Sequence, residues 1–276
     1  MTIDKAAIEQ HYASGGLYER ILAAFVASGK DPDTLVAADL SAVDEFHTRG
    51  RDATDELATL AGVAADQQIL EVGCGIGGPA RHLADRYGCH VTGIDLTAEF
   101  IRTATRLSER VGLAGRVAFV AGDALDLPFP AASFDLVWTQ HAAMNIADRP
   151  RLYGEMHRVL KPGGRLALHD VLAGAGGAPH FPVPWARRPA DSFLVDHATL
   201  RRLLGDAGFA VREWHDVTAA AAAWLAARLA QTQATPAAPP GIGLLLGADF
   251  PAMMANQQRN LVEGRIAVLQ AVLVRD

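Results

Sequence analysis

Residues 69–78 read ILEVGCGIGG. A short apolar run meets the acid Glu71, and glycine then takes four of the six positions 73–78. Glycine costs chain entropy, so such a cluster is kept where a helix must start abruptly and something must come close to the main chain. A turn from strand to helix also exposes backbone N–H groups to a ligand. Gly73, Gly75 and Gly78 satisfy G-x-G-x-x-G, and Gly73, Gly75 and Gly77 satisfy G-x-G-x-G; neither pattern decides the ligand alone.

Outward from the turn, elements alternate. QQILEVG (67–73) reads as a buried strand and GGPARHLADRYG (77–88) as a helix, with Pro79 in its first turn and Gly88 past its end. CHVTGID (89–95) is a second strand and 97–111 a helix. RVAFVAGD (116–123) and FDLVWTQ (134–140) are strands three and four, followed by a helix over 148–160 that ends at Pro162. RLALHD (165–170) is a fifth strand, 197–207 a helix, FAVREWHDV (209–217) a sixth strand and RIAVLQAVLV (265–274) a seventh. This alternation predicts an α/β fold, a Rossmann-like doubly wound sheet with ligands beyond the carboxyl ends of its strands. Residues 1–64 show helical patterns over 4–29, broken at Ser14-Gly15-Gly16, and over 51–62, with no strand. They read as an N-terminal helical cap on a main domain spanning 65–276. Two interruptions stand out: 171–196, rich in Pro, Gly and aromatics and expected as a lid loop hinged at glycines 174, 176 and 177, and 217–264, expected as a helical insertion.

Bulk properties narrow the function. The chain has 276 residues, 50% of them hydrophobic, and a formal net charge of −6. There is no run of Lys and Arg to track a phosphate backbone, so nucleic acid is not an expected partner. Two cysteines, Cys74 and Cys89, are too few for a disulfide framework and fit a reducing, cytoplasmic compartment. No export signal or membrane-spanning run is read, and histidine spacing suggests no metal site. The sequence leaves oligomeric state open, a homo-oligomer included.

The acids around the turn discriminate between ligands. Glu71 precedes the first glycine, where it would repel a pyrophosphate and favour an ammonium or sulfonium. Asp95 ends the second strand about twenty residues on, where a carboxylate accepts ribose hydroxyls. Asp123 follows the third strand, placed to accept from an adenine amino group. Together they describe a pocket for S-adenosylmethionine.

The motifs LEVGCGIGG (70–78), VTGIDLT (91–97), GDALDLPFPAASFDLVW (122–138) and RVLKPGGRLAL (158–168) resemble those of the class I S-adenosylmethionine-dependent methyltransferases. The segments VDEFHTRGRDATDELA (43–58) and WTQHAAMNIAD (138–148) are similar to the small-molecule group, which acts on sarcosine and dimethylglycine, quinones, tocopherols, sterols and natural products. The resemblance implies a sheet order of 3-2-1-4-5-7-6 with the last strand antiparallel. It also implies S-adenosyl-L-homocysteine as product and a small organic acceptor methylated on nitrogen, oxygen or carbon, in primary or specialised biosynthesis. It places Gly73, Gly75 and Gly77 along the methionine part, Glu71 and the backbone near Gln140 at its amino group, Asp95 at the ribose, Leu96 beside the adenine, and Asp123 with Ala124 at the adenine edge.

The donor is already activated, so the enzyme mainly aligns the acceptor. Gln140 and His141, just after strand four, are the candidate catalytic residues; His141 is a base or acceptor-orienting group, or a histidine that holds the loop. Met144, His169, Phe46, His47, Trp185 and Tyr12 are the further acceptor candidates, each with packing as its bland reading. Asp170 is a neighbouring candidate, and Asp44 joins Phe46 and His47 as an expected cover for the cofactor's methionine end. A cyclase that binds the cofactor without transferring a methyl group is the alternative; a nicotinamide oxidoreductase is disfavoured by Glu71 and Asp123.

Overall fold

The structure, a computed structural model, describes residues 16–234 and 241–276. Tyr12 and the first part of the helix expected over 4–29 lie outside the described residues. So does most of TPAAPPG (235–241).

Among the described residues, three α-helices precede the sheet: α1 (Leu17–Ala27), α2 (Ser41–Asp44) and α3 (Gly50–Ala61). Gly16, at φ 65°, caps α1, which explains the break read there. The strands are β1 (Gln68–Val72), β2 (His90–Asp95), β3 (Val117–Ala121), β4 (Phe134–Gln140), β5 (Leu160–Ala173), β6 (Phe209–Asp216) and β7 (Ile266–Arg275). Between them run α4 (Gly78–Tyr87), α5 (Ala98–Arg110), α6 (Arg149–Val159), α7 (His197–Asp206), α8 (Thr218–Ala234), α9 (Gly243–Leu246) and α10 (Phe250–Val262). Helices α6 and α7 start where Asp148 and Asp196 accept from the N–H groups of Arg151 and Thr199, satisfying donors that no helical carbonyl reaches.

The sheet order is β3-β2-β1-β4-β5-β7-β6, with β7 antiparallel to both neighbours, as the resemblance implied. One apolar cluster packs α6 and α7 on one face, around Leu152, Met156, Leu200 and Leu204. A second packs α3 and α4 on the other, around Leu57, Leu83 and Trp138. A third joins α1 to the sheet domain: Ile21, Phe25 and Leu40 meet Ile76, Phe100 and Leu107.

The stretch expected as a hinged lid is built differently at its start. Residues 171–173 belong to β5, because the ladder with β7 continues from Arg165–Val274 to Ala173–Ile266. Gly174 and Gly176 donate to the carbonyls of Arg265 and Gly264. A Cβ on either would sit 2.1 Å from a backbone oxygen of residues 263–264. Close backbone packing, not hinge freedom, is what requires glycine at these two positions. Further on, Trp185 is buried and donates to Ser192 Oγ at 2.9 Å, and Phe193 N–H bonds Met144 O at 2.8 Å.

Two glycine substitutions test this packing. A Cβ at Gly78 would lie 2.1 Å from the carbonyl oxygen of Asp44, so Gly78→Ala is expected to destabilise by about 1–3 kcal/mol. Gly154, on the exposed side of α6, has nothing within 4 Å of its Cβ direction, and Gly154→Ala is expected to stabilise by about 0.5–1 kcal/mol. Denaturant midpoints of the two variants check both signs; equal midpoints would refute the close approach.

Candidate active site

The glycine turn is held by its neighbours' backbone and one acid. Gly73 and Cys74 donate to Ile94 O at the end of β2. Asp95 Oδ2 accepts from Gly75 N–H at 3.0 Å and Oδ1 from Thr97 N–H at 2.9 Å. Enclosure by protein pushes the Asp95 carboxyl pKa up, while these two donors pull it back. Gly73 has φ 77°, and a Cβ there would lie 2.3 Å from Ala142 Cβ, which explains the first glycine.

A cleft enclosing about 940 Å³, its open mouth included, runs along the carboxyl ends of β1, β2 and β4. Of the cofactor candidates, Gly73, Gly75, Asp95, Leu96, Asp123, Ala124 and Gln140 line it. Glu71 and Gly77 do not. Glu71 lies buried beneath the turn, its pKa raised by burial and then by the nearby charge of Glu45. Gly77 is needed for packing: a Cβ would lie 2.5 Å from the Phe119 ring. The cleft also includes Ile94, Phe100, Leu125 and Ile146, which composition and spacing do not distinguish from ordinary core. Its charged lining among the described residues is Asp95 and Asp123, with no Lys or Arg. Gln140 Nε2 is buried without a partner, while Gln140 Oε1 accepts from Trp138 Nε1 at 2.8 Å. An orphan donor, two acids and an apolar floor suit a cofactor carrying a carboxylate, a net positive charge and an adenine; a pyrophosphate would find no counter-charge.

A second cleft, about 550 Å³ with its mouth, adjoins the first, and Phe46 and His141 line both. His47, Met144 and Trp185 also line it, so four of the acceptor candidates and His141 meet here. Trp185 is therefore both packed and exposed to the cleft through one face. His169 lines neither cleft; it is wholly buried in β5, behind Thr48. Thr48, which sequence reasoning missed, places Oγ1 3.3 Å from His141 Nε2 and 3.4 Å from His169 Nε2. The rings of His47, His141 and His169 lie with centroids 4.8–6.1 Å apart. Burial pushes the His47 pKa down to about 4 and those of His141 and His169 well below the usual value, so all three are neutral at pH 7. His141 has φ 48°, a left-handed conformation rare for a residue with a side chain, fixed by its N–H bond to His169 O at 2.8 Å.

Two expected site residues serve the scaffold instead. Asp44 does not reach the cleft; it pairs with Arg81 at 2.8 Å, both side chains buried. Asp170 faces Arg149 at 3.4 Å, and Arg149 also donates to Tyr153 and to Phe193 O, which ties α6 to the loop after β5. Among the described residues, no group of three or more His, Cys, Asp or Glu side chains is arranged to hold a metal, and no helix is long and apolar enough to cross a membrane.

Residues 70–168 match a family described as Methyltransferase domain. It is this stretch of the chain that is similar to a methyltransferase domain. It holds the glycine turn, Asp95, Asp123 and the β4 edge with Gln140 and His141, while Phe46, His47 and Thr48 come from outside it. The chain is 40% identical over 116 residues to sterol 24-C-methyltransferase erg-4 of Neurospora crassa, covering 42% of this chain and 31% of that one. The match to methyltransferase GfsG of Streptomyces halstedii is 37% over 134 residues, covering 49% and 48%. The matched stretches thus span about a third to a half of the curated relatives' length. Among solved structures, geranyl diphosphate C-methyltransferase from Streptomyces coelicolor superposes with a TM-score of 0.68 at 18% identity, over 82% of this chain and 76% of that one. That likeness is one of fold.

Glu45, buried beside the site, gives a pH test. Its pKa is raised to about 8, first by burial and then by the Asp44 charge; Arg51, 3.5 Å away and partly exposed, offsets this only in part. Below pH 4.5 Glu45 is protonated in both states. Between pH 4.5 and 8 the unfolded chain releases a proton that the folded chain keeps, so stability falls as pH rises, by up to about 1.4 kcal/mol per pH unit from this group. Glu45→Gln is expected to flatten that decline in denaturation curves taken from pH 4.5 to 8; an unchanged slope would refute the assignment.

Proposed function

We propose that the chain is an S-adenosylmethionine-dependent methyltransferase that moves a methyl group to a small organic acceptor, with the helical cap 1–64 and the domain 65–276 enclosing the site together. The observation that carries this reading is a cleft at the carboxyl edge of the sheet, lined by Asp95 and Asp123 without Lys or Arg, that shares Phe46 and His141 with a second cleft. The cofactor would supply a methyl group already activated on a sulfonium. Gly73 and Gly75 leave the main chain open to its methionine part. Asp95 retains acceptor capacity for ribose hydroxyls, since each carboxylate oxygen takes more than one donor. Asp123 with Ala124 faces the adenine edge, and Gln140 Nε2 offers its unused donor. Glu71 lies withdrawn from the cleft beneath the turn. His141, on the shared wall, is the group placed to orient the acceptor or take its proton, and Thr48 positions its ring.

The same reading takes the acceptor in the second cleft, beside Phe46, His47, Met144 and Trp185, with His169 acting through Thr48. It places the reaction in biosynthesis and the chain in the cytoplasm. A second reading is a non-methylating cyclase: the [4+2]-cyclase SpnF superposes at a TM-score of 0.67 and 24% identity, over 94% of this chain and 92% of that one, a likeness of fold. Transfer of labelled methyl to an extracted acceptor would separate the two.

Calorimetry is expected to show micromolar binding of S-adenosyl-L-homocysteine, about −8 kcal/mol. Asp95→Ala is expected to weaken it by about 1.5–3 kcal/mol, because hydrogen bonds to a charged group are lost and the turn loses its anchor. Heat with a nicotinamide dinucleotide but not with either form of the cofactor would sink the proposal.

A further inference from the structure

The second cleft carries information about the acceptor that the first does not. Its walls are Trp185, Trp224, Met144, Met254, Ile242 and Leu246. At one end lie His47, Thr48 and His141, with Gln257 also on the lining. No Asp, Glu, Lys or Arg lines it among the described residues. A ligand with an ammonium, carboxylate or phosphate buried here would leave water without a counter-charge, which is strongly unfavourable.

The polar end is specific in another way. Thr48 Oγ1 lies between His141 Nε2 and His169 Nε2, and a hydroxyl has one proton. It can donate to only one ring; the other must donate to it or go without. His169 is closed off by burial, so of the two rings His141 is the one that reaches a ligand. A ligand hydroxyl, both donor and acceptor, matches His141 in either tautomer, whereas a carbonyl or ether matches one. His141 also faces the first cleft, so an atom held against it stands at the junction of the two.

We infer that the second cleft binds an uncharged, largely apolar molecule and holds it by a hydroxyl group against His141, so that oxygen is the atom presented to the first cleft. This rests on the methyltransferase reading for its consequence, methylation on oxygen, but not for the binding itself.

Equilibrium dialysis of the full chain, saturated with S-adenosyl-L-homocysteine, tests it with four probes on one skeleton: 1-naphthol, naphthalene, 1-naphthyl phosphate and 1-naphthylmethylamine. Naphthol is expected to bind at least about tenfold more tightly than either charged probe and about fivefold more tightly than naphthalene. Glycine suits the positive φ at residue 141, so His141→Gly keeps the fold and is expected to erase the preference for naphthol over naphthalene while leaving the charged probes disfavoured. A charged probe binding as well as naphthol, no binding of naphthol, or a naphthol preference that survives His141→Gly would each overturn the inference. Calorimetry with S-adenosyl-L-homocysteine alone separates the two claims. Absence of cofactor binding with the naphthol pattern intact defeats the methyltransferase reading and leaves the ligand class standing; cofactor binding with the pattern absent does the reverse.

Discussion

The site depends on one close approach, where the backbone of Asp44 lies against Gly78 at the start of α4. Any side chain at 78 would push the two apart. The contact is reinforced by the buried pair of Asp44 with Arg81, whose guanidinium also reaches Ala104 O and Ser108 Oγ on α5. A buried pair gains from mutual attraction to the extent that its remaining hydrogen bonds are also met; Arg81 meets those of Nη1, while its Nε and Asp44 Oδ1 have no partner. The helical cap is thereby fixed to the glycine turn. Phe46, His47 and Thr48, the residues just after Asp44, come to stand over the sheet's carboxyl edge as a result. Without this junction the first cleft would have a floor and no cover.

The second organising feature is neutrality at the second cleft. Three histidines gathered within 6.1 Å would repel one another if charged, and burial keeps each unprotonated at neutral pH. The charges of the molecule lie elsewhere. Asp95 and Asp123 face the first cleft, and no Asp, Glu, Lys or Arg lines the second among the described residues. The boundary between a charged and an uncharged chamber falls at Phe46 and His141. The methyl transfer proposed above would suit that division, because positive charge would be needed on one side of the boundary and discharged across it.

The strained backbone of His141 belongs to the same junction. Its N–H is spent on His169 O, and this turns the ring back toward Thr48 and away from a regular continuation of β4. Strain of this kind persists where surrounding contacts over-determine it. Here the contacts are β5 on one side and the cap on the other.

The sequence by itself determined the alternating elements, the glycine turn and the acids at the ends of β2 and β3. Each is a local signal: period, punctuation, or a charged residue at a strand terminus. The resemblance added the strand order. The cleft residues Gly73, Gly75, Asp95, Asp123 and Gln140 were legible because they all sit within a few residues of a strand's carboxyl end, while Leu96 and Ala124 came from the resemblance. Glu71 and Asp44 were read as facing the cofactor, whereas neither lines the cleft, since side-chain direction in a turn depends on what packs behind it. Trp185 and the glycines at 174 and 176 read as a lid. Only tertiary structure decided that β5 extends through 173 and that those glycines lie against residues 263–265, because the partner is ninety residues away along the chain. Thr48 carried no sequence signal at all: a threonine between two histidines, 93 and 121 positions distant, is a fact of folding, and it is the packing of the cap on the sheet that brings the three together.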